Sequence, residues 1–185
     1  PLVELDGSLA GNRSGLVLNG NSAGSTIRGL VINQFAGAGI ELRSGGHFIA
    51  GNYLGTDSSG LLGLGNQTAG ILVQSSANQI GGSNFGEANL ISGNLGAGVL
   101  LSGAAATANL IADNLIGTGI DGITDLGNAG PGVRITSGAS SNTVGGSSLL
   151  ANVIWFNASG VAVESGNGNA VLSNSIFNNL GDGIE

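Results

Sequence analysis

The segment AGILVQSSANQIGG, residues 69–82, recurs in altered form as AGVLLSGAAATANLIAD (97–113), PGVRITSGASSNTVGG (131–146) and SGVAVESGNGNAVLSN (159–174). Each copy carries a glycine, two aliphatics separated by one residue, a small polar turn, and then Asn-x-aliphatic. Alternation at every second residue is the period of a β-strand. A helix needs apolar residues at i, i+3 and i+4, and glycines this frequent cost an α-helix about 1 kcal/mol each. Helix is therefore excluded as the repeating element.

The repeat extends in both directions. The glycine that opens each alternation stands at 15, 39, 70, 98, 132, 160 and 183, so the spacings are 24, 31, 28, 34, 28 and 23 residues. The longer units carry insertions in two places. One follows the "IGG" turn, at 83–88 and 147–151. The other follows "LGT" or "IGT", at 57–69 and 119–131. LGTDSSGLLGLGN (54–66) and IGTGIDGITDLGN (116–128) align without a gap, which superimposes a two-turn repeat on the single one.

Each unit contains three short alternating pieces. The first is Gly-aliphatic-x-aliphatic, as in Ile71/Val73 and Val99/Leu101. The second and third are both Asn-x-aliphatic, as in Asn78/Ile80 and Asn52/Leu54. Three short strands per unit, joined by one- to three-residue bends and always in the same order, cannot form hairpins. Stacked unit on unit, they build three parallel sheets around one core. The fold predicted for residues 1–185 is a single all-β domain, a right-handed parallel β-helix of about seven turns. Asn78, Asn109, Asn142 and Asn169 each lie two residues before an inward aliphatic. They are expected to stack at one corner as a structural ladder of amide hydrogen bonds. His47 falls in the same column and is read as a hydrogen-bonded corner residue.

Composition narrows the function. The chain has 185 residues, 37 of them glycine, with four arginines, no lysine, eleven acids and a net charge of −7. Nucleic acid and anionic membrane surfaces demand clustered cations, so neither is an expected partner. Without cysteine there is no disulfide or thiolate chemistry, and without lysine no Schiff base. No apolar run is long enough to span a bilayer. The opening residues PLVELDG are not a signal peptide, and neither end shows a capping helix. That predicts a segment of a longer solenoid or a subunit that stacks end to end.

The stretches TIRGLVINQFAGAGIEL (26–42), IAGNYLGTDSSG (49–60), NQIGG (78–82) and NLISGN (89–94) resemble the right-handed β-helix repeats of large bacterial surface and secreted proteins, within the pectate-lyase-like superfold. The resemblance covers nearly the whole chain. It implies an extracellular or cell-surface setting, and it assigns no reaction, since fold does not imply function.

No catalytic residues are assigned. Outward positions of the first strand column include Glu41, Arg43 and Arg134, the best candidates for acid–base chemistry. Glu41 and Arg43 are expected to form an exposed ion pair, and Arg134 lies three turns away, about 14 Å at the strand spacing. β-Helix enzymes that cut polysaccharides need clustered carboxylates, and no column of acids exists here. Asp121 and Asp125 share one glycine-rich loop and are candidate calcium ligands, with solvated turn residues as the alternative. The eight threonines share no column, which argues against ice binding. On the third sheet the outward column reads Val31, Tyr53, Leu90, Leu115, Val153 and Ser175, with Trp155 and Phe177 beside it. The apolar members Val31, Tyr53, Leu90, Leu115, Val153, Trp155 and Phe177 form a candidate interface. Either another chain packs on this row, or loops 57–69 and 119–131 fold over it, or Trp155 and Phe177 stack on sugar rings. The expected role is a structural or adhesive extracellular solenoid that forms a stalk, fibre or surface-layer element by self-association, without a required cofactor. The alternative is a carbohydrate-binding or polysaccharide-degrading module that takes surface glycans.

Overall fold

The computed structural model describes residues 3–185. It is a right-handed parallel β-helix built from three sheets of seven, six and six strands, and within each sheet every strand pairs with the equivalent strand of the next turn. The first sheet stacks Leu16–Leu18, Ala38–Leu42, Ala69–Val73, Ala97–Ser102, Val133–Thr136 and Val161–Val163. The second begins at Thr26–Arg28 and ends at Ala170–Leu172. The third begins at Val3–Asp6 and ends at Ser175–Phe177. The register matches the sequence columns: Ile71 pairs with Val99, and Val99 with Val133.

The inward aliphatics form one continuous core, from Leu18 and Ile40 through Ile71, Val99 and Ile116 to Ile154 and Val161, nearly all fully buried. Burial of each such side chain is worth about 1.5–3 kcal/mol. The glycine before each first-sheet strand has a steric cause. A Cβ on Gly98 would lie 2.6 Å from the Gly132 carbonyl oxygen in the next turn and 2.9 Å from Ile116 Cγ2. The turns come too close at this corner for any side chain.

Three asparagine ladders, not one, run through the corners. In the predicted ladder, the backbone N–H and Nδ2 of Asn78 both donate to Asn109 Oδ1, at 2.9 and 2.8 Å. Asn109 repeats this on Asn142, and Asn142 on Asn169. A second ladder joins Asn52, Asn89, Asn114, Asn152 and Asn174. A third joins Asn66, Asn94, Asn128, Asn157 and Asn179. At the lower end Ser25, Leu30 and Phe35 occupy the ladder positions, and each backbone N–H donates to the ladder residue above it.

The residue before a ladder position makes the bend. Ala77, Ala108 and Ser141 precede Asn78, Asn109 and Asn142 with φ of 58°, 54° and 57°. This left-handed conformation turns the chain in one residue and costs an L-residue about 1–2 kcal/mol.

Candidate functional site

The third sheet brings the apolar row into register as expected. Val31 pairs with Tyr53, Tyr53 with Leu90, Leu90 with Leu115, and Leu115 with Val153. Trp155 pairs with Phe177 one step along the strands. The row is nevertheless not uniformly open. Val31 and Leu90 are buried, while Tyr53, Leu115, Val153 and Trp155 are half-buried and Phe177 is 45% exposed.

The cover over the lower part comes from the two aligned insertions. Each folds back as a small hairpin, with antiparallel bridges Thr56–Gly63 and Thr118–Asp125. They touch each other, since Ile120 N donates to Gly60 O at 3.0 Å. Gly60 lies directly over the row: a Cβ there would come 2.9 Å from Leu90 Cδ2 and 3.1 Å from Tyr53 Cε2. Burial pushes the Tyr53 hydroxyl above its usual pKa. The hairpins expose aliphatics of their own, Leu61, Leu62, Ile120 and Ile123, the last 75% exposed. The apolar surface is thus moved outward rather than removed, and above the hairpins it continues on the strands themselves. There Trp155 and Phe177 form a tilted pair, ring centroids 3.9 Å apart and planes at 55°. Trp155 Nε1 donates to Ser175 Oγ at 3.2 Å, which fixes the indole.

The other candidates are not brought together. Glu41 and Arg43 form the expected ion pair, Nε to Oε1 at 2.7 Å. The pair differs from expectation in that Glu41 is only 7% exposed, because Ser14 Oγ from the turn below donates to its other oxygen at 3.0 Å. Arg134 bonds both oxygens of Glu164 at 2.7 and 3.1 Å, far from Glu41 along the stack. Those hydrogen bonds from Arg134 hold the Glu164 carboxyl below its ordinary pKa.

Asp121 and Asp125 serve their own loop. The Asp121 carboxylate accepts from Thr124 Oγ1 and from the Thr124 and Ile123 backbone N–H groups, and the Thr124 hydroxyl leads in lowering its pKa. Asp125 Oδ1 accepts from Gly127 N at 3.1 Å. Among the described residues no three His, Cys, Asp or Glu side chains are grouped to hold a metal ion.

His47 presents a serine–histidine contact that the sequence did not single out. Its Nε2 lies 3.0 Å from Ser44 Oγ, and Ser44 Oγ is 2.8 Å from Ser22 Oγ. This is not a nucleophilic dyad. His47 Nδ1 accepts the Ser25 backbone N–H at 3.1 Å, so the ring proton sits on Nε2 and points at Ser44. A general base would need that nitrogen free of a proton. His47 is buried and acts as a ladder residue.

No family model matches the chain, and neither a curated protein nor a solved structure matches it. The β-solenoid assignment rests on the three parallel sheets and the ladders.

Proposed function

We propose that this chain is a rigid structural β-solenoid of a stalk, fibre or surface-layer element outside the cell, which self-associates through the apolar surface of its third sheet. The observation that carries the reading is the run of three amide ladders beside an unbroken aliphatic core. From Ser25, Leu30 and Phe35 upward, each turn is tied to the next at three corners, an arrangement suited to a stiff rod. The resemblance of the repeats to bacterial surface proteins supports the extracellular setting. The contact surface in this reading comprises Leu115, Val153, Trp155 and Phe177 with the aliphatics of the two hairpins.

Sedimentation across a concentration series, with electron microscopy of the same samples, tests it. Association that rises with concentration, and is weakened by Trp155→Ser with Phe177→Ser, is the expected result. Monomers at every concentration, about 34 Å long for seven strands at the strand spacing, would exclude self-association. The half-exposed Trp155–Phe177 pair also favours a second reading, carbohydrate recognition by ring stacking. A sugar that binds only the folded chain raises its melting temperature. Quenching or shift of the Trp155 fluorescence by oligosaccharide, together with such a rise, would select that reading.

A further inference from the structure

Two of the chain's four arginines, Arg13 and Arg43, line one surface cleft of 370 Å³ beside the lowest strands of the first sheet, with Ser14 and Glu41 between them. The other two arginines are engaged elsewhere. Arg134 is held by Glu164, and Arg28 donates to the Gly86 carbonyl at 3.0 Å. The chain as a whole carries −7, yet two guanidinium groups against one carboxylate leave this cleft with a local charge of +1.

The cleft is fixed in shape. Glu41 is anchored through both oxygens, by Arg43 Nε and Ser14 Oγ. Ser14 Oγ in turn accepts the Ala38 N–H at 3.2 Å, and Gly37 N donates to Arg13 O at 2.8 Å. Gly37 allows this approach, since a Cβ there would lie 2.5 Å from Ser14 Oγ and 2.7 Å from Ser14 N. The free groups are donors. Among the described residues the terminal nitrogens of Arg43 and the whole guanidinium of Arg13 have no hydrogen-bond partner. The Ser14 proton is committed to Glu41, so the site is built to bind rather than to attack.

We propose that this cleft binds a small hydroxylated carboxylate, its carboxylate on Arg13 and Arg43 and its hydroxyls on Asn12 and the remaining lone pairs of Glu41. Guanidinium presents paired N–H groups that match a planar carboxylate. A site of charge +1 suits a monoanion, whereas a dianion would bring surplus charge against Glu41. The volume lies in the range of small-molecule sites, about 300–1,000 Å³. The cleft is on a different sheet from the apolar row, so its failure and that of the assembly reading are separate.

The test is an NMR titration of the chain's amides with D-gluconate. Sorbitol serves as the match that lacks the carboxylate, and inorganic phosphate and sulfate as the multiply charged arms. Expected are saturable shifts at Ser14, Gly37, Ala38 and Glu41, with a dissociation constant on the order of 1 mM at low salt, and none with sorbitol. Arg13→Gln should weaken binding about tenfold while thermal unfolding stays unchanged, and Arg134→Gln should bind like the parent. Absence of saturation, equal shifts with sorbitol, tighter binding of phosphate or sulfate, or full binding by Arg13→Gln would each overturn the proposal.

Discussion

Replacing Asn114 by alanine removes one rung from the middle of a ladder, and its effect can be worked out bond by bond. Asn114 Oδ1 accepts the backbone N–H of Asn89 at 3.2 Å and its Nδ2 at 2.9 Å. Asn114 Nδ2 donates to Ile80 O, Ala112 O and Asn152 Oδ1 at 2.9, 3.0 and 3.0 Å. The variant leaves two buried donors of Asn89 without an acceptor, although Asn89 Nδ2 keeps its second bond to Ile49 O. Ile80 O keeps the Ala112 N–H, and Asn152 Oδ1 keeps the backbone N–H of residue 114, but the carbonyl of buried Ala112 loses its donor. At about 1–3 kcal/mol for each of these three orphaned buried groups, the expected cost is about 3–9 kcal/mol. That is a large part of the ~5–15 kcal/mol that holds a typical domain folded. Equilibrium urea unfolding followed by far-ultraviolet circular dichroism measures it. Asn21→Ala, at an exposed position, is the control and should stay within about 0.5 kcal/mol of the parent. Because solenoid turns are coupled mainly to neighbours, amide exchange should accelerate most around residues 89, 114 and 152. A cost for Asn114→Ala no larger than that of Asn21→Ala would refute the view that the ladders bind the turns together.

Gly98→Ala should destabilise the chain by about 1–3 kcal/mol through overpacking, read as a lower urea midpoint, because its new Cβ meets backbone of the next turn. Ala108→Gly should do the opposite. Ala108 is exposed with φ of 54°, so relief of about 1–2 kcal/mol of strain outweighs about 0.5–1 kcal/mol of added backbone entropy, and the melting temperature should rise. Asp113→Asn should also stabilise, in a pH-dependent way. Burial first, and the Glu87 charge second, raise the Asp113 pKa above its ordinary 3.8. The carboxyl therefore favours the fold most below that value, and this contribution is lost as pH rises through the raised value. The gain from asparagine should be present at neutral pH and vanish below about pH 3.8, as measured by melting temperatures across that range.

The parts of the fold legible in the sequence were those fixed by period. The glycine column and the Asn-x-aliphatic pairs repeat at constant offset within a strand, so the ladder of Asn78, Asn109, Asn142 and Asn169 could be read directly. The ladder through Asn66, Asn94, Asn128, Asn157 and Asn179 sits beyond the insertions and is not followed by an aliphatic two residues later. Its signal was present in another form, since Asn66, Asn94, Asn128 and Asn179 stand four residues before the next glycine of the column and Asn157 three before Gly160. Phe35 holds the same offset from Gly39 and occupies the same corner. What alternation could not convey was the third dimension outside the strands. Glu41 alternates as an outward residue and is outward, yet Ser14 and Arg43 close around it. Tyr53 and Leu90 alternate outward and are covered, because Gly60 arrives from a loop whose path has no period.

These two kinds of position divide the molecule. Inward and corner residues are constrained in every turn by neighbours above and below, so they repeat. Outward residues are constrained only locally, and they differ from turn to turn. Chemistry particular to this chain must therefore be sought where the repeat is broken. The breaks fall at the hairpins 57–63 and 119–125, at the aromatic pair Trp155–Phe177, and at the lowest turns, where Phe35 and His47 replace ladder asparagines and the Arg13 guanidinium has no hydrogen-bond partner among the described residues. The hairpins and the aromatic pair adjoin on one face and make an apolar surface suited to a second chain. The Arg13–Arg43 cleft is polar, small and rigid, features that suit a ligand rather than a rod's neighbour. A variant that alters one should leave the other intact, because the two surfaces lie on different sheets with the aliphatic core between them.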